Sequence, residues 1–454
     1  MIAWTGTRVA DILGTGGGSA LTYSSVSTDT RSLSPGALFV ALVGETFDGH
    51  DFVGVARDSG AVGAVVQRSD ADVEGLEVFR VDDTLIALGR LARARRQEVT
   101  GPVVGVTGTN GKTSTKEMLA VAMGTRWNVH ATRENLNNLI GVPLTILTTP
   151  LDCDALVVEA GASEPGEIAR LRDILEPTLG VVTNVAAGHL EGFGSLQAVL
   201  MEKCSLLDGV PVAVVGCDPP AMVEEARRRA RRVVVAGLSE RATTYPDSWG
   251  VDPEGHAWLM VQGARVRLPV LGRHQADNAM ISLAVALELG VELADAAAAI
   301  NRVELPPGRC DLLRSGDRVI LKDTYNANPG SLTALLETAS ALRDDRRLVI
   351  VLGTMLELGE ESEALHAQMA DAVMLLDPWL VAVVGGFVPA FERHASRLSD
   401  RLLTAGDPDS LGRHLASRLT GNELVLVKGS RGVHMEDAVP HLLSSEEKPC
   451  STTS

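Results

Sequence analysis

Short apolar runs, each followed by a glycine-containing or polar turn and then a helical-looking segment, recur along most of this chain. In the first hundred or so residues, 35–42 reads as a turn feeding a buried strand, 55–60 as helix and 61–66 as strand. Leu85, Leu88 and Leu91 recur three apart, which makes 83–97 an amphipathic helix with Gly89 as a weak point inside it. Pro102-Val103-Val104, Leu156-Val157-Val158 and Gly180-Val181-Val182 read as buried strands, and they alternate with helical stretches at 116–123, around Met201-Glu202-Lys203-Cys204 and at 280–289. The alternation returns further on, with strands at 319–321, 348–353, 380–384 and 424–427. That order belongs to mostly parallel sheets covered by helices on both faces. Pro306-Pro307-Gly308 is a rigid break suited to a hinge. The expectation is therefore an α/β chain of three domains: a small α/β domain over 1–100, a central, mostly parallel sheet over 101–308, and a doubly wound, Rossmann-like sheet over 309–454. The polar stretch Ser444-Ser445-Glu446-Glu447-Lys448 is expected to fray.

The densest chemistry lies in Gly105-Val106-Thr107-Gly108-Thr109-Asn110-Gly111-Lys112-Thr113-Ser114, between a strand and a helix start. Backbone N–H groups in such a loop cradle phosphate oxygens. Lys112 offers a mobile positive charge to the outer phosphates, and Thr113 a hydroxyl to Mg²⁺. The ordinary G-x-x-x-x-G-K-[ST] pattern would need its first glycine at Val106, whereas this loop has Gly105 and Gly108. Glu159 stands at the end of a buried strand, and Mg²⁺ favours few carboxylates together with substrate phosphates. A lone histidine is more often structural than ligating, but His189 follows another strand end and is a candidate second-metal ligand. By spacing alone, Asp29-Thr30-Arg31-Ser32 reads as turn chemistry with a surface ion pair, and the Asn137-Asn138 stretch as a solvated loop.

Composition narrows the partners. With 454 residues the length suits about three domains of ~150 residues. The formal charge of −17 argues against non-specific nucleic-acid binding, and 3% aromatics leave little for base stacking. Five cysteines without C-x-x-C spacing read as reduced thiols in a cytoplasmic protein. The start, Met1-Ile2-Ala3-Trp4, lacks the marks of a signal peptide, and no apolar run is long enough for a membrane span. A monomer is the expected state. There is no G-x-G-x-x-G, so no NAD site is inferred.

The loop spelling G-x-T-G-T-x-G-K-T resembles the ATP loop of the Mur ligase family, enzymes that build the peptide of the bacterial cell-wall precursor. Other stretches resemble the same family in the same order. Asp29-Thr30-Arg31-Ser32 and Asp48-Gly49-His50-Asp51-Phe52 are similar to runs framing its uridine-nucleotide site, which implies a UDP-binding first domain. Asn135-Leu136-Asn137-Asn138 leading to Gly141-Val142-Pro143-Leu144-Thr145 resembles a loop near the substrate. His189-Leu190-Glu191-Gly192-Phe193-Gly194-Ser195 and Asp323-Thr324-Tyr325-Asn326-Ala327-Asn328-Pro329 resemble the branch that joins D-alanyl-D-alanine to UDP-N-acetylmuramoyl-tripeptide, and there is no D-N-P-R run as in the branch adding the third amino acid.

The resemblance implies ATP and Mg²⁺ as cofactors. It implies catalytic roles for Lys112, Glu159, His189 and Lys203, the last carbamoylated by CO₂, with Thr113, Glu159, His189 and carbamoylated Lys203 as metal ligands. ATP would be bound by Gly108, Thr109, Asn110, Gly111, Lys112, Thr113, Ser114, Asn278, Arg309 and Asp323. The substrates would be met by Asp29, Thr30, Arg31, Ser32, Asn137, Asn138, Tyr325, Asn326 and Asn328. Gln275, Lys322 and Thr354 depart from the family spelling, where asparagine, aspartate and aspartate are usual.

Overall fold

The computed structural model describes residues 4–71 and 73–443, so the tail expected to fray and the first three residues lie outside the described residues. The chain builds three α/β units.

The first carries a four-stranded parallel sheet, Ser25–Ser27, Ala37–Val40, Gly63–Val66 and Glu77–Arg80 in that spatial order. The strand expected at 35–42 is shortened because Gly36, at φ 83°, turns the chain just before it. The helix Thr84–Arg96 starts where Asp83 Oδ1 accepts from Ile86 N–H at 2.8 Å, a side-chain N-cap. Gly89 is explained by packing: a Cβ there would lie 3.0 Å from Ile174 Cδ1, on the neighbouring helix Glu167–Leu175. Arg96 ties the same two helices together, donating from Nε to Leu175 O at 2.6 Å. A short antiparallel pair, Trp4–Thr5 with Thr22–Tyr23, was not expected.

The second unit holds a six-stranded, all-parallel sheet in the order Arg232–Val235, Val212–Val215, Leu179–Val182, Val103–Thr107, Ala155–Glu159, Val129–Ala131. Both faces are covered, so the inner strands read as unbroken valine-rich runs rather than alternating ones. Register then decides the site: Thr107 pairs with Val182 and Val106 with Glu159. The glycine loop, Glu159 and the Thr183-Asn184 segment therefore emerge side by side at the carboxyl edge of the sheet, where ligands bind in such folds. An antiparallel meander, Ser248–Val251, His256–Val261 and Ala264–Leu271, was missed by the strand-helix reading. It packs through Leu259, Val266 and Leu268 against the helix His274–Glu288.

The third unit has a six-stranded sheet ordered Asp311–Ser315, Arg318–Asp323, Glu423–Lys428, Arg347–Leu352, Leu380–Val384, Leu402–Ala405. It is parallel except for its first edge strand, which pairs antiparallel with Arg318–Asp323. Separate apolar clusters lie on its two faces, the arrangement of a doubly wound fold. Among the described residues, no helix is long and apolar enough to cross a membrane.

Candidate active site

A cavity of about 910 Å³ opens between the second and third units. Its floor is the glycine loop. Gly108 has φ 143° and Gly111 φ 78°. A Cβ on Gly108 would collide with Thr183 Oγ1, and one on Gly111 with Asn278 Oδ1. The neighbouring strand end pins the loop: Thr183 Oγ1 donates to Asn110 O at 2.6 Å, and Asn110 N–H donates to Asn184 Oδ1 at 3.0 Å. Thr183 and Asn184 thus shape the loop although neither was singled out as a site residue. Helix Lys112–Met123 starts directly on Gly111, which leaves Thr109 to Ser114 lining the cavity. The Lys112 ammonium folds over the loop, donating to Gly108 O at 2.9 Å and Thr109 O at 3.1 Å. Burial pulls its pKa down, Glu159 opposes that shift, and Arg309 adds to it.

Thr113 and Glu159 meet as the strand register requires. Thr113 Oγ1 donates to Glu159 Oε2 at 2.8 Å, Asn137 Nδ2 donates to Glu159 Oε1 at 2.8 Å, and Arg309 Nη2 reaches Thr113 Oγ1 at 2.8 Å from the third unit. A buried carboxylate and a hydroxyl side by side form the hard, all-oxygen donor set that Mg²⁺ takes alongside substrate phosphates. His189 also lines the cavity, with its Nδ1 2.6 Å from Glu357 Oε2. Lys203 is almost fully buried on the helix Leu196–Cys204, its Nζ 3.2 Å from Ala162 O and 5.4 Å from the centre of the Phe193 ring. Burial, with a smaller push from Lys112, brings its pKa down to about 7. Among the described residues no group of three or more His, Cys, Asp or Glu is arranged to hold a metal ion.

The third unit lines the same cavity with Arg309, Asp323, Tyr325, Asn326 and Asn328. Arg309 lies 4.1 Å above the Tyr325 ring, in cation–π contact. Lys428 Nζ bonds Asp323 Oδ2 at 2.6 Å and Asn326 O at 2.8 Å. This lysine opens the K-G-S-R-G stretch and was not anticipated as a site residue. Asn328 caps the helix Pro329–Leu342 and also exchanges amide hydrogen bonds with Asn110, at 2.7 and 3.2 Å. Asn138 spends its side chain on the backbone N–H of Gly141 at 2.8 Å. Asp29 and Arg31 lie away from this cavity, in the first unit, locked together by paired contacts at 2.9 and 2.7 Å. Thr30 and Ser32 occupy the same turn.

Comparison with known proteins places these features. Three family models match in chain order: "Mur ligase family, catalytic domain" over 22–96, "Mur ligase middle domain" over 106–286 and "Mur ligase, glutamate ligase domain" over 308–431. A relative from Escherichia coli strain K12, UDP-N-acetylmuramoyl-tripeptide–D-alanyl-D-alanine ligase, is 36% identical over 451 residues, spanning 97% of this chain and 98% of its own. This chain belongs to the Mur ligase family. Among solved structures, MurF from Acinetobacter baumannii superposes with a TM-score of 0.88 at 27% identity, covering 97% of this chain and 99% of that one. The MurF ligase of Thermotoga maritima in complex with ADP gives 0.80 at 30% identity, covering 92% and 96%.

The departures from the Mur ligase spelling have local structural partners. Gln275 keeps an amide in place, accepting from Asn278 Nδ2 at 3.0 Å through Oε1. Thr354 accepts the Gly386 N–H at 2.9 Å and so joins two loops of the third unit. Lys322 sits 3.9 Å from Asp311 on the adjacent antiparallel strand.

Proposed function

We propose that this chain is the ATP-dependent, ADP-forming ligase that adds D-alanyl-D-alanine to UDP-N-acetylmuramoyl-tripeptide in peptidoglycan precursor synthesis. The observation that carries the reading is the single cavity in which the glycine loop, Thr113 and Glu159 of the second unit face Arg309, Asp323 and Asn326 of the third. A carboxylate is a poor electrophile because its leaving group would be oxide. Attack of the tripeptide carboxylate on the γ-phosphate of ATP gives an acyl phosphate and ADP; the dipeptide amine then displaces phosphate.

In this reading the loop amides and Lys112 hold the phosphates and spread the charge of the transferring phosphoryl group. Lys112 spends two of its three N–H donors on the carbonyls of Gly108 and Thr109, and a phosphate would compete with them. Thr113 and Glu159 would hold Mg²⁺, which would supply charge neutralisation to the phosphates. Arg309 is within reach of the same phosphates, since it already contacts Thr113. Asp323, backed by Lys428, would take the ribose hydroxyls, and Asn278 with Gln275 the adenine side. Asn326 is exposed in the cavity and offers an amide to the incoming amine. Lys203 fits carbamoylation by CO₂: that reaction needs the neutral amine, and burial provides it near pH 7. The carbamate would be a new carboxylate for a second ion with His189.

Residues 1–100 would hold the uridine nucleotide through Asp29, Thr30, Arg31 and Ser32, residues 101–308 the ATP, and residues 309–454 the dipeptide. The setting is cytoplasmic, with the enzyme acting as a monomer. The test is product mass after mixing ATP, Mg²⁺, UDP-N-acetylmuramoyl-tripeptide and D-alanyl-D-alanine, with ADP release recorded. Release that requires both substrates, and a product heavier by the dipeptide, is expected. ATP binding without turnover would make the chain a nucleotide-binding regulator. Turnover with a free amino acid on a dipeptide acceptor would make it the relative that adds the third residue.

A further inference from the structure

At the junction between the second and third units, His189 and Glu357, both non-glycine residues in the left-handed backbone region, face each other. His189 has φ 55° and ψ 30° immediately before the short helix Leu190–Phe193. Glu357 has φ 63° in the loop after strand Arg347–Leu352. Such conformations persist only where surrounding structure over-determines them, and they cluster at functional sites. Here the surroundings are specific. Glu191 N–H donates to Glu357 O at 3.1 Å. Gly359, at φ 57°, lets the backbones approach so closely that a Cβ on it would lie 3.2 Å from Glu191 Cα. Across this seam Glu357 Oε2 comes to 2.6 Å from His189 Nδ1. Both side chains line the cavity.

We infer that Glu357 is a positioning residue for His189, delivered by the third unit. The contact is a charge approach and not an aligned hydrogen bond; a carboxylate 2.6 Å from Nδ1 favours the tautomer with its proton on that nitrogen and leaves Nε2 as the lone-pair nitrogen. The ring's orientation and tautomer are thereby set by a residue that reaches it only when the two units are docked. Docking of the third unit and readiness of His189 to ligate an ion become one event. This inference rests on the ligase reading for the role of His189, although the contact itself does not.

The test compares the full-length wild type with Glu357→Gln, which keeps size but lacks the anionic acceptor. Mn²⁺ binding is counted by electron paramagnetic resonance in the presence of a non-hydrolysable ATP analogue and UDP-N-acetylmuramoyl-tripeptide. Loss of a carboxylate that orients a metal-ligating histidine weakens metal affinity by about 10- to 100-fold. The expected result is therefore at least a tenfold loss for one bound Mn²⁺, a matching rise in the half-activating Mg²⁺ concentration, and an unchanged KM for D-alanyl-D-alanine. Glu357→Asp should recover part of the affinity, and it carries the test if the glutamine variant fails to fold. Unchanged Mn²⁺ affinity in the folded variants would overturn the proposal. So would an equal loss in KM for the dipeptide, which marks a general docking role. A wild type that binds Mn²⁺ and nucleotide but forms no amide would refute the ligase reading instead, and the Mn²⁺ comparison would still judge Glu357.

Discussion

Lys112 shows how a single residue is bound by two demands. Its ammonium bonds two loop carbonyls, so it contributes modestly to loop order, yet its half-buried position near Glu159 is suited to phosphate charge. Lys112→Ala should fold with a melting temperature near wild type and lose about 10²- to 10³-fold in kcat, the scale seen when one transition-state charge partner is removed. Near-normal amide formation by that variant would contradict the phosphate role.

Lys203 makes a pH prediction with a definite sign. Burial lowers its folded-state pKa to about 7, below the ordinary value of 10.5. In CO₂-free buffer the unfolded chain therefore binds more protons than the folded one between those values. The destabilisation is complete below about pH 7 and fades as pH rises through the unfolded value. Lys203→Met should accordingly gain most in melting temperature over wild type below about pH 7, and the gain should shrink toward pH 10.5. A gain independent of pH would mean that Lys203 titrates normally. The same variant should lack activity, and Lys203→Ala should regain some with acetate.

At the level of elements, what the sequence made legible follows from local rules. The valine runs 103–107, 155–159 and 179–182 are buried on both faces and read as strands at once, and the glycine loop between a strand and a helix announced itself. The meander at 248–271 was not read, although burial alternates along His256–Val261 and Gly255 and Gly263 mark its turns. A search for strand-helix alternation passes over a period of two. Lys428 and Glu357 were illegible for a different reason: their partners, Asp323 and His189, are distant in sequence and meet only through sheet order and docking.

Asn328 tests two element-level roles separately. Its Oδ1 caps the helix Pro329–Leu342 by accepting from Ser331 N–H at 2.9 Å, while its Nδ2 donates to Asn110 Oδ1 at 2.7 Å. Asn328→Asp keeps the cap and removes the donor, so the helix should stay capped while activity falls. Asn328→Ala loses both and should cost about 1 kcal/mol, the usual value of an N-cap. Chemical denaturation with parallel rate measurements separates them, and equal stability losses in the two variants would deny the cap.

Across the whole molecule, the seam between the second and third units carries polar pairs, Arg309 with Thr113, Asn328 with Asn110, and Glu357 with His189 and the Glu191 backbone, beside apolar packing of Leu271 into the third unit's core and of Leu365 against the second unit's. Arg273 and Glu337 add an ion pair at 3.9 Å between side chains about half exposed, and such a pair contributes little. Polar pairs of this kind are readily exchanged for water, so they add little to what the apolar contacts provide. If the units part, Pro306-Pro307-Gly308 is the connection about which they would turn, with Gly308 at φ 82° and its N–H donating to Asp311 Oδ2 at 2.7 Å. The acyl phosphate requires the opposite condition, a closed and dry cavity. Ligands that touch both units must provide the difference in free energy. ATP does so if its phosphates lie on the loop and its ribose on Asp323. Small-angle scattering on the active enzyme should therefore show a smaller radius of gyration when the ATP analogue and UDP-N-acetylmuramoyl-tripeptide are present together than when either is absent. The contraction should weaken in Asp323→Ala, which would remove the proposed ribose contact on the third unit while leaving the phosphate loop untouched. Identical dimensions in all states of a fully active enzyme would mean that the units stay docked throughout, and the hinge at 306–308 would have no part in turnover.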